Sequence, residues 1–219
     1  MKRIPLFLLL VSTSALTTGC AGTRTLSDPT VVIRTQGGTE LGVSTDYGIL
    51  FLGHTARSGD IEVTAWFGDG PSVEATVIEP IGAELYTAET EIRLPSVPMT
   101  FRDPIPGEKL LVVGRKPSGP WQSLSTVRSN PRVYGILLDV PRALIGQPDQ
   151  IGAGVYSLED DDTKTKRLLG LVSGRIRLIT ATGEREYLTV VGPEQLWKLV
   201  THRRDHHTRK QWVYREDIL

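Results

Sequence analysis

The chain has almost no cysteine: one residue, Cys20, in 219. That excludes an intramolecular disulfide and a thiolate-built metal site. The fold has to rest on its core alone. Net charge is lacking too, with 25 basic and 25 acidic residues. A chain so balanced carries no electrostatic footprint for nucleic acid. Gly-rich phosphate loops are absent. The one extended apolar run lies near the start and is too short to span a bilayer. Histidine is scarce, and only His54 precedes residue 202.

What is present begins with MKRIPLFLLLVSTSALTTGC. Lys2 and Arg3 open it, an apolar stretch follows, and small residues lead to Cys20. This is the layout of a secretory signal. The end of it resembles the lipobox of bacterial lipoproteins, with Thr17 where Leu is usual and Leu16 one place early. The resemblance implies that Cys20 is lipidated and becomes the new N-terminus. The expected location is lipid-anchored to a bacterial membrane, on the periplasmic side or the cell surface. Residues 1–19 then form the signal peptide and 20–30 a tether, since AGTRTLSDPT is small and polar. Loss of Lys2 and Arg3 leaves 23 basic residues against 25 acidic ones. About 200 residues remain, enough for one large domain or two small ones.

Beyond the tether the chain reads as many short strands. VVIRT (31–35) and YGILFLGH (47–54) are apolar runs. IEVTAWF (61–67) and SVEATVIEP (72–80) alternate with period two around GDGP, the pattern of a hairpin. ELYTAETEI (84–92) is a further candidate. PSVPMTFRDPIPGE (95–108) holds four prolines and reads as a linker between halves. Then come KLLVVGRK (109–116), WQSLSTVRS (121–129), VYGILLDV (133–140) and IGAGVYSL (151–158). RLLGLVSG (167–174), RIRLITA (175–181) and EYLTVV (186–191) complete the set. Short strands at regular spacing point to all-β barrels or sandwiches.

One helix closes the pattern. GPEQLWKLVTHRR has Pro193 suited to a first turn, Glu194 at the positive end, and Leu196, Leu199 and Val200 on one face. The charged tail runs from 203 to 219. His202 and His206 are one helical turn apart, but no acid or thiol completes a metal site there. The tail reads as solvated and basic, with Arg203, Arg204, Arg209 and Lys210 able to touch anionic headgroups. Asp160, Asp161 and Asp162 match no dedicated calcium loop.

Three stretches together resemble the trypsin-like serine peptidases, in particular the disulfide-free Deg/HtrA-like branch. The first is YGILFLGHTARSGDIEVTAWFGDGPSVEATVIEP, where His54, Ile61, Val63, Asp69, Gly70, Ala75 and Val77 fall in register with the family. The second is EKLLVVGRKPSG, similar to the strand that opens the family's second barrel. The third is DQIGAGV with RLLGLVSG, similar to the nucleophile loop and the strand that lines the substrate. The resemblance implies an all-β fold of two six-stranded antiparallel barrels, chymotrypsin-like, with a C-terminal helix. The domain spans 31–202, in halves of about 31–98 and 107–191 with the terminal helix at 192–202.

The mechanism of that family needs a hydroxyl nucleophile, an imidazole base and an acid that orients it. By resemblance His54 stands at the base position. A lone His after an apolar strand is by itself more often structural. Glu84 stands at the acid position if one residue is deleted nearby, and Leu85 if not. The nucleophile position falls on Ile151, in a register set by Gly152, Gly154 and Val155. Ile offers no atom for a base to activate. Asp149 replaces a Gly whose amide helps form the family's oxyanion hole, and a carboxylate there opposes a developing oxyanion. Ser157 lies a strand away, and Ser173-Gly174 match the strand that would hold an extended peptide.

The expected protein is therefore a membrane-anchored, catalytically inactive peptidase homologue that binds an extended peptide or an envelope protein. No cofactor and no metal are expected. An active serine endopeptidase with a non-standard nucleophile is the alternative. An unrelated all-β structural lipoprotein is a further one.

Overall fold

A computed structural model of the chain describes residues 28–35, 37–53, 60–65, 72–80, 85–91, 94–116, 118–129, 135–147, 150–159 and 162–201. Six strands close a first barrel: β1 (Thr30–Thr35), β2 (Gly38–Thr45), β3 (Gly48–Phe51), β4 (Asp60–Ala65), β5 (Ser72–Pro80) and β6 (Tyr86–Thr90), in the order β1-β2-β3-β6-β5-β4. Antiparallel β1–β4 pairing, with Ile33 opposite Val63, shuts the ring. Closure removes the exposed edges that a lone sheet leaves.

The second half is a six-stranded antiparallel sheet. Its strands are β7 (Lys109–Lys116), β8 (Gly119–Thr126), β9 (Ile136–Asp139), β10 (Gly154–Glu159), β11 (Asp162–Thr180) and β12 (Gly183–Val191). Their order is β8-β7-β10-β11-β12-β9. The two ends of this sheet meet at a bridge between Val127 and Leu138, so it curls back on itself. A short 3-10 turn at Arg142–Leu144 follows β9.

The apolar pattern explains which strands lie between the halves. On β1, Val31 and Ile33 pack inside the first barrel, with Ile49, Phe51 and Val63. Val32, between them, packs instead with Leu110, Val112 and Leu169 of the second half. On β7, Leu110 and Val112 turn to that second core, while Leu111 and Val113 face a third cluster. Successive strand residues point to opposite faces, so an unbroken KLLVV run needs apolar cover on both. The third cluster is the seam of the molecule. Val43, Leu50, Leu52 and Leu85 of the first half meet Leu168 and Leu171 of the second. Each such side chain, fully buried, contributes roughly 1.5–3 kcal/mol.

A helix, α1, occupies 193–201 and seats Leu196 and Leu199 in the same seam. Glu194 and Lys198, one turn apart, form an ion pair at 2.7 Å. Trp197 stays half exposed and meets the Phe101 ring edge-on, with centroids 5.4 Å apart.

The strand reading differs from the structure in two places. RLLGLVSG and RIRLITA are one continuous strand, β11, of 19 residues. Ser173-Gly174 marks a bulge there, not a break: the pairing with β12 slips between Val172 and Gly174. The second difference is β2, which the alternation rule passes over. GTELGVST has only two large apolar residues, Leu41 and Val43, yet six of its eight residues are buried. Gly42 explains the poor signal. A Cβ there would lie 2.8 Å from the Leu50 carbonyl oxygen and 2.9 Å from Ile33 Cδ1, so the crowded interior admits only glycine.

Candidate active-site cleft

Cys20, His54, Glu84 and Asp149 lie outside the described residues. Residues next to His54, Glu84 and Asp149 are described, and those around the first two converge with Ile151. Leu52 precedes His54 by two residues, and Leu85 directly follows Glu84. Both are buried in the seam cluster, and Ile151 packs against that same cluster. The pairing of Phe51 with Tyr86 accounts for this, because it brings the end of β3 beside the start of β6. Gly53, at φ +66°, turns the chain against the Tyr86 ring, where no side chain fits.

The loop before β10 is held from both halves. The Leu41 amide donates to the Ile151 carbonyl at 3.1 Å. The Gly152 amide donates to the Val172 carbonyl at 2.8 Å, and the Val172 amide to the Ala153 carbonyl at 2.9 Å. The Ala153 amide reaches back to the Gln150 carbonyl at 3.0 Å. Gly152 has φ +82°, and a Cβ there would overlap the Leu41 carbonyl oxygen. Glycine is therefore required twice over, by backbone angle and by space.

Three further side chains brace this segment, and no sequence pattern marks them. Gln150 Oε1 accepts from the Arg115 amide at 2.8 Å and from Trp121 Nε1 at 3.3 Å. Arg175 Nη2, on β11, donates to the Leu144 carbonyl at 3.2 Å and to the Gln147 carbonyl at 3.3 Å. Lys116 Nζ donates to the Ala143 carbonyl. Two cations thus tie down the carbonyls of 143–147 while Gln150 tethers the turn to β7 and β8. Only their positions in the fold give these residues a role. A lone Gln, Lys or Arg in a sequence signals nothing comparable.

Within this frame Ile151 offers no reagent. Its carbonyl takes the Leu41 amide, and its side chain packs on the seam. The nearby hydroxyls are placed for other work. Ser157 is buried on β10. Ser173 Oγ lies 2.9 Å from Thr189 Oγ1 across the bulge, a hydroxyl pair that joins β11 to β12. Gly174 stands beside it, and a Cβ there would meet only Thr189 Oγ1, at an ordinary 3.7 Å. Packing within the chain therefore does not demand glycine at 174. β10 pairs with β11 no further than Leu171, whereas β12 pairs on to Thr180. Among the described residues, no strand covers the β10 side of β11 beyond that point.

The fold as a whole resembles those of solved serine proteases. A human pathogenic astrovirus serine protease matches with a TM-score of 0.52 and 16% identity, over 76% of this chain and 91% of that one. A Mycobacterium tuberculosis protease in an inactive form gives 0.52 and 19%, over 80% and 90%. The serine endoprotease of Yersinia pestis gives 0.55 and 16%, over 81% of this chain and 62% of that one. The chain has the trypsin-like serine-protease fold. No protein-family model and no curated protein matches its sequence. In this trypsin-like frame the 150–153 loop keeps its backbone anchors in both halves.

Proposed function

We propose that this chain is a catalytically silent trypsin-like domain, tethered to a bacterial membrane through a lipid on Cys20, that binds an extended peptide. One observation carries the reading: Ile151, which the resemblance sets at the nucleophile position, uses its carbonyl and its side chain to hold the halves together. An alkyl side chain has no lone pair with which to attack a carbonyl. The uncovered side of β11 at Ser173 and Gly174 supports the binding part. Strand addition uses main-chain hydrogen bonds along such an edge, and a glycine not demanded by packing leaves room for an approaching backbone. Arg175 and Lys116, which hold the loop beside that edge, keep it in place.

The test uses fluorescein-labelled extended peptides and the whole chain. Binding is expected to saturate in anisotropy while the peptides keep their mass over a day. Gly174→Val, which fills the space the glycine leaves on the uncovered side of β11, is expected to weaken binding about tenfold or more. Cleaved peptide, or binding unaffected by that change, overturns the proposal. The tether is tested separately: Cys20→Ser should release the chain from the membrane fraction.

A further inference from the structure

One end of the second sheet is a bare ribbon. β10 leaves β11 at Leu171, and β9 pairs with β12 only from Tyr187 to Val190. Beyond those points β11 and β12 pair with each other out to Thr180 and Gly183, and among the described residues no third strand joins them. A two-stranded ribbon is marginal by itself, and its open edges can template a further strand.

The two faces of the ribbon differ. Side chains alternate along each strand, so Arg175, Arg177, Glu184 and Glu186 share one face, while Ile176, Leu178, Arg185 and Tyr187 share the other. Charge on the first face is matched within the chain. Arg177 pairs with Glu186 at 2.8 Å and with Glu184 at 3.2 Å, and Arg175 pairs with Glu186 at 3.4 Å. The second face is unmatched. Ile176 and Tyr187 are only half-buried, and Leu178 is 39% exposed. Arg185 stands opposite Leu178, and both acids of the ribbon are engaged on the other face. Among the described residues Arg185 has no acidic partner.

We propose that this second face selects acidic-apolar peptides: extended segments with an apolar residue beside Ile176 and a carboxylate beside Leu178, held by Arg185. The inference rests on the peptide-binding role proposed for the β11 edge and gives that edge a sequence preference. A peptide that continues the track of β10 runs antiparallel to β11, as β10 does. It meets β11 in reverse order, so the acid precedes the apolar residue by two. With strands about 4.8 Å apart, Arg185 lies two strands from the acid, about 10 Å between backbones. An arginine stem laid over Leu178 and a glutamate side chain close that gap together.

The test measures anisotropy of fluorescein-labelled Thr-Glu-Thr-Val-Thr-Val-Thr with the whole chain at low salt, beside peptides with Gln or Lys in place of Glu. The Glu peptide is expected to bind about three- to fivefold tighter than the Gln peptide, and the Lys peptide weakest. Serine in place of the first valine should weaken binding about threefold. Arg185→Gln should erase the preference for Glu over Gln, and Arg185→Glu should turn it toward Lys. Equal affinities for the Glu, Gln and Lys peptides, all weakened by Gly174→Val, leave peptide binding at the edge standing and overturn this preference. A Glu preference that survives both Arg185 variants also overturns it. Saturable binding by none of the peptides overturns this proposal and the peptide-binding role together.

Discussion

Gly152→Ala tests the loop geometry directly. The native residue sits at φ +82°, and a left-handed backbone costs an ordinary residue about 1–2 kcal/mol. The new Cβ would also overlap the Leu41 carbonyl oxygen and lie 2.6 Å from its carbonyl carbon. Relief requires the loop to retreat from β2. That retreat loosens the Leu41–Ile151 and Gly152–Val172 hydrogen bonds, each worth about 1 kcal/mol. The expected loss is about 3–4 kcal/mol. Gly107→Ala is the matched control. Its φ is +89°, but nothing lies within 4 Å of the added carbon, so only the backbone cost of about 1–2 kcal/mol applies. Urea unfolding followed by tryptophan fluorescence reads both. With a slope of about 2 kcal/mol per molar, the midpoint should fall by about 1.5–2 M for Gly152→Ala and by less than about 1 M for the control. Equal midpoints for the two variants would refute the claim that this loop is packed against the first barrel.

Three other changes probe separate parts of the account. Gln150→Ala leaves the Arg115 amide and the Trp121 indole without their shared acceptor. It should cost about 1–2 kcal/mol and speed amide exchange at residues 151–153, measured by mass spectrometry. Tyr156 is fully buried, and its phenol is pushed well above the ordinary value, by burial first and by the Asp28 carboxylate second. Because the folded value is the higher one, ionisation of the phenol costs no stability below about pH 10. Above it, stability should fall by up to about 1.4 kcal/mol per pH unit. Tyr156→Phe keeps Lys166 above the ring position and removes this loss, so the variant's urea midpoint should rise relative to the native chain's as pH climbs above about 10. Glu108 is held below the usual carboxylate range, chiefly by its hydrogen bonds from Arg102. A depressed carboxylate stabilises above its unfolded value and loses that contribution as pH falls through the folded one. Glu108→Gln should therefore cost up to about 1 kcal/mol at pH 7, a difference that closes below about pH 4.

Much of the fold was legible in the apolar pattern. Ile61 and Val63 alternate as an inward face should, and they lie inside the first barrel. The unbroken run of β7 reads correctly as a strand, and the structure supplies the apolar cover on both its faces. What stayed illegible has a common physical cause. β2 is buried through small residues, so its burial leaves no hydrophobic mark. The bulge at Ser173 places two residues opposite one, which breaks the period of two without ending the strand. At the cleft, Ile151 and Gly152 could be picked out by their spacing within a resemblance. Gln150, Lys116 and Arg175 could not, since each acts through a backbone group distant in sequence. His54, Glu84 and Asp149 remain readings of the sequence, outside the described residues.

The central claim is that a trypsin-like fold has been kept while its nucleophile has been lost. The most direct measurement is the intact mass of the purified folded chain after incubation with a large excess of a fluorophosphonate probe, beside an active trypsin-like control. The control gains one probe mass. The account predicts that this chain gains none, native or heat-unfolded alike. A stoichiometric adduct on any serine of the folded chain, lost on unfolding before treatment, would contradict it.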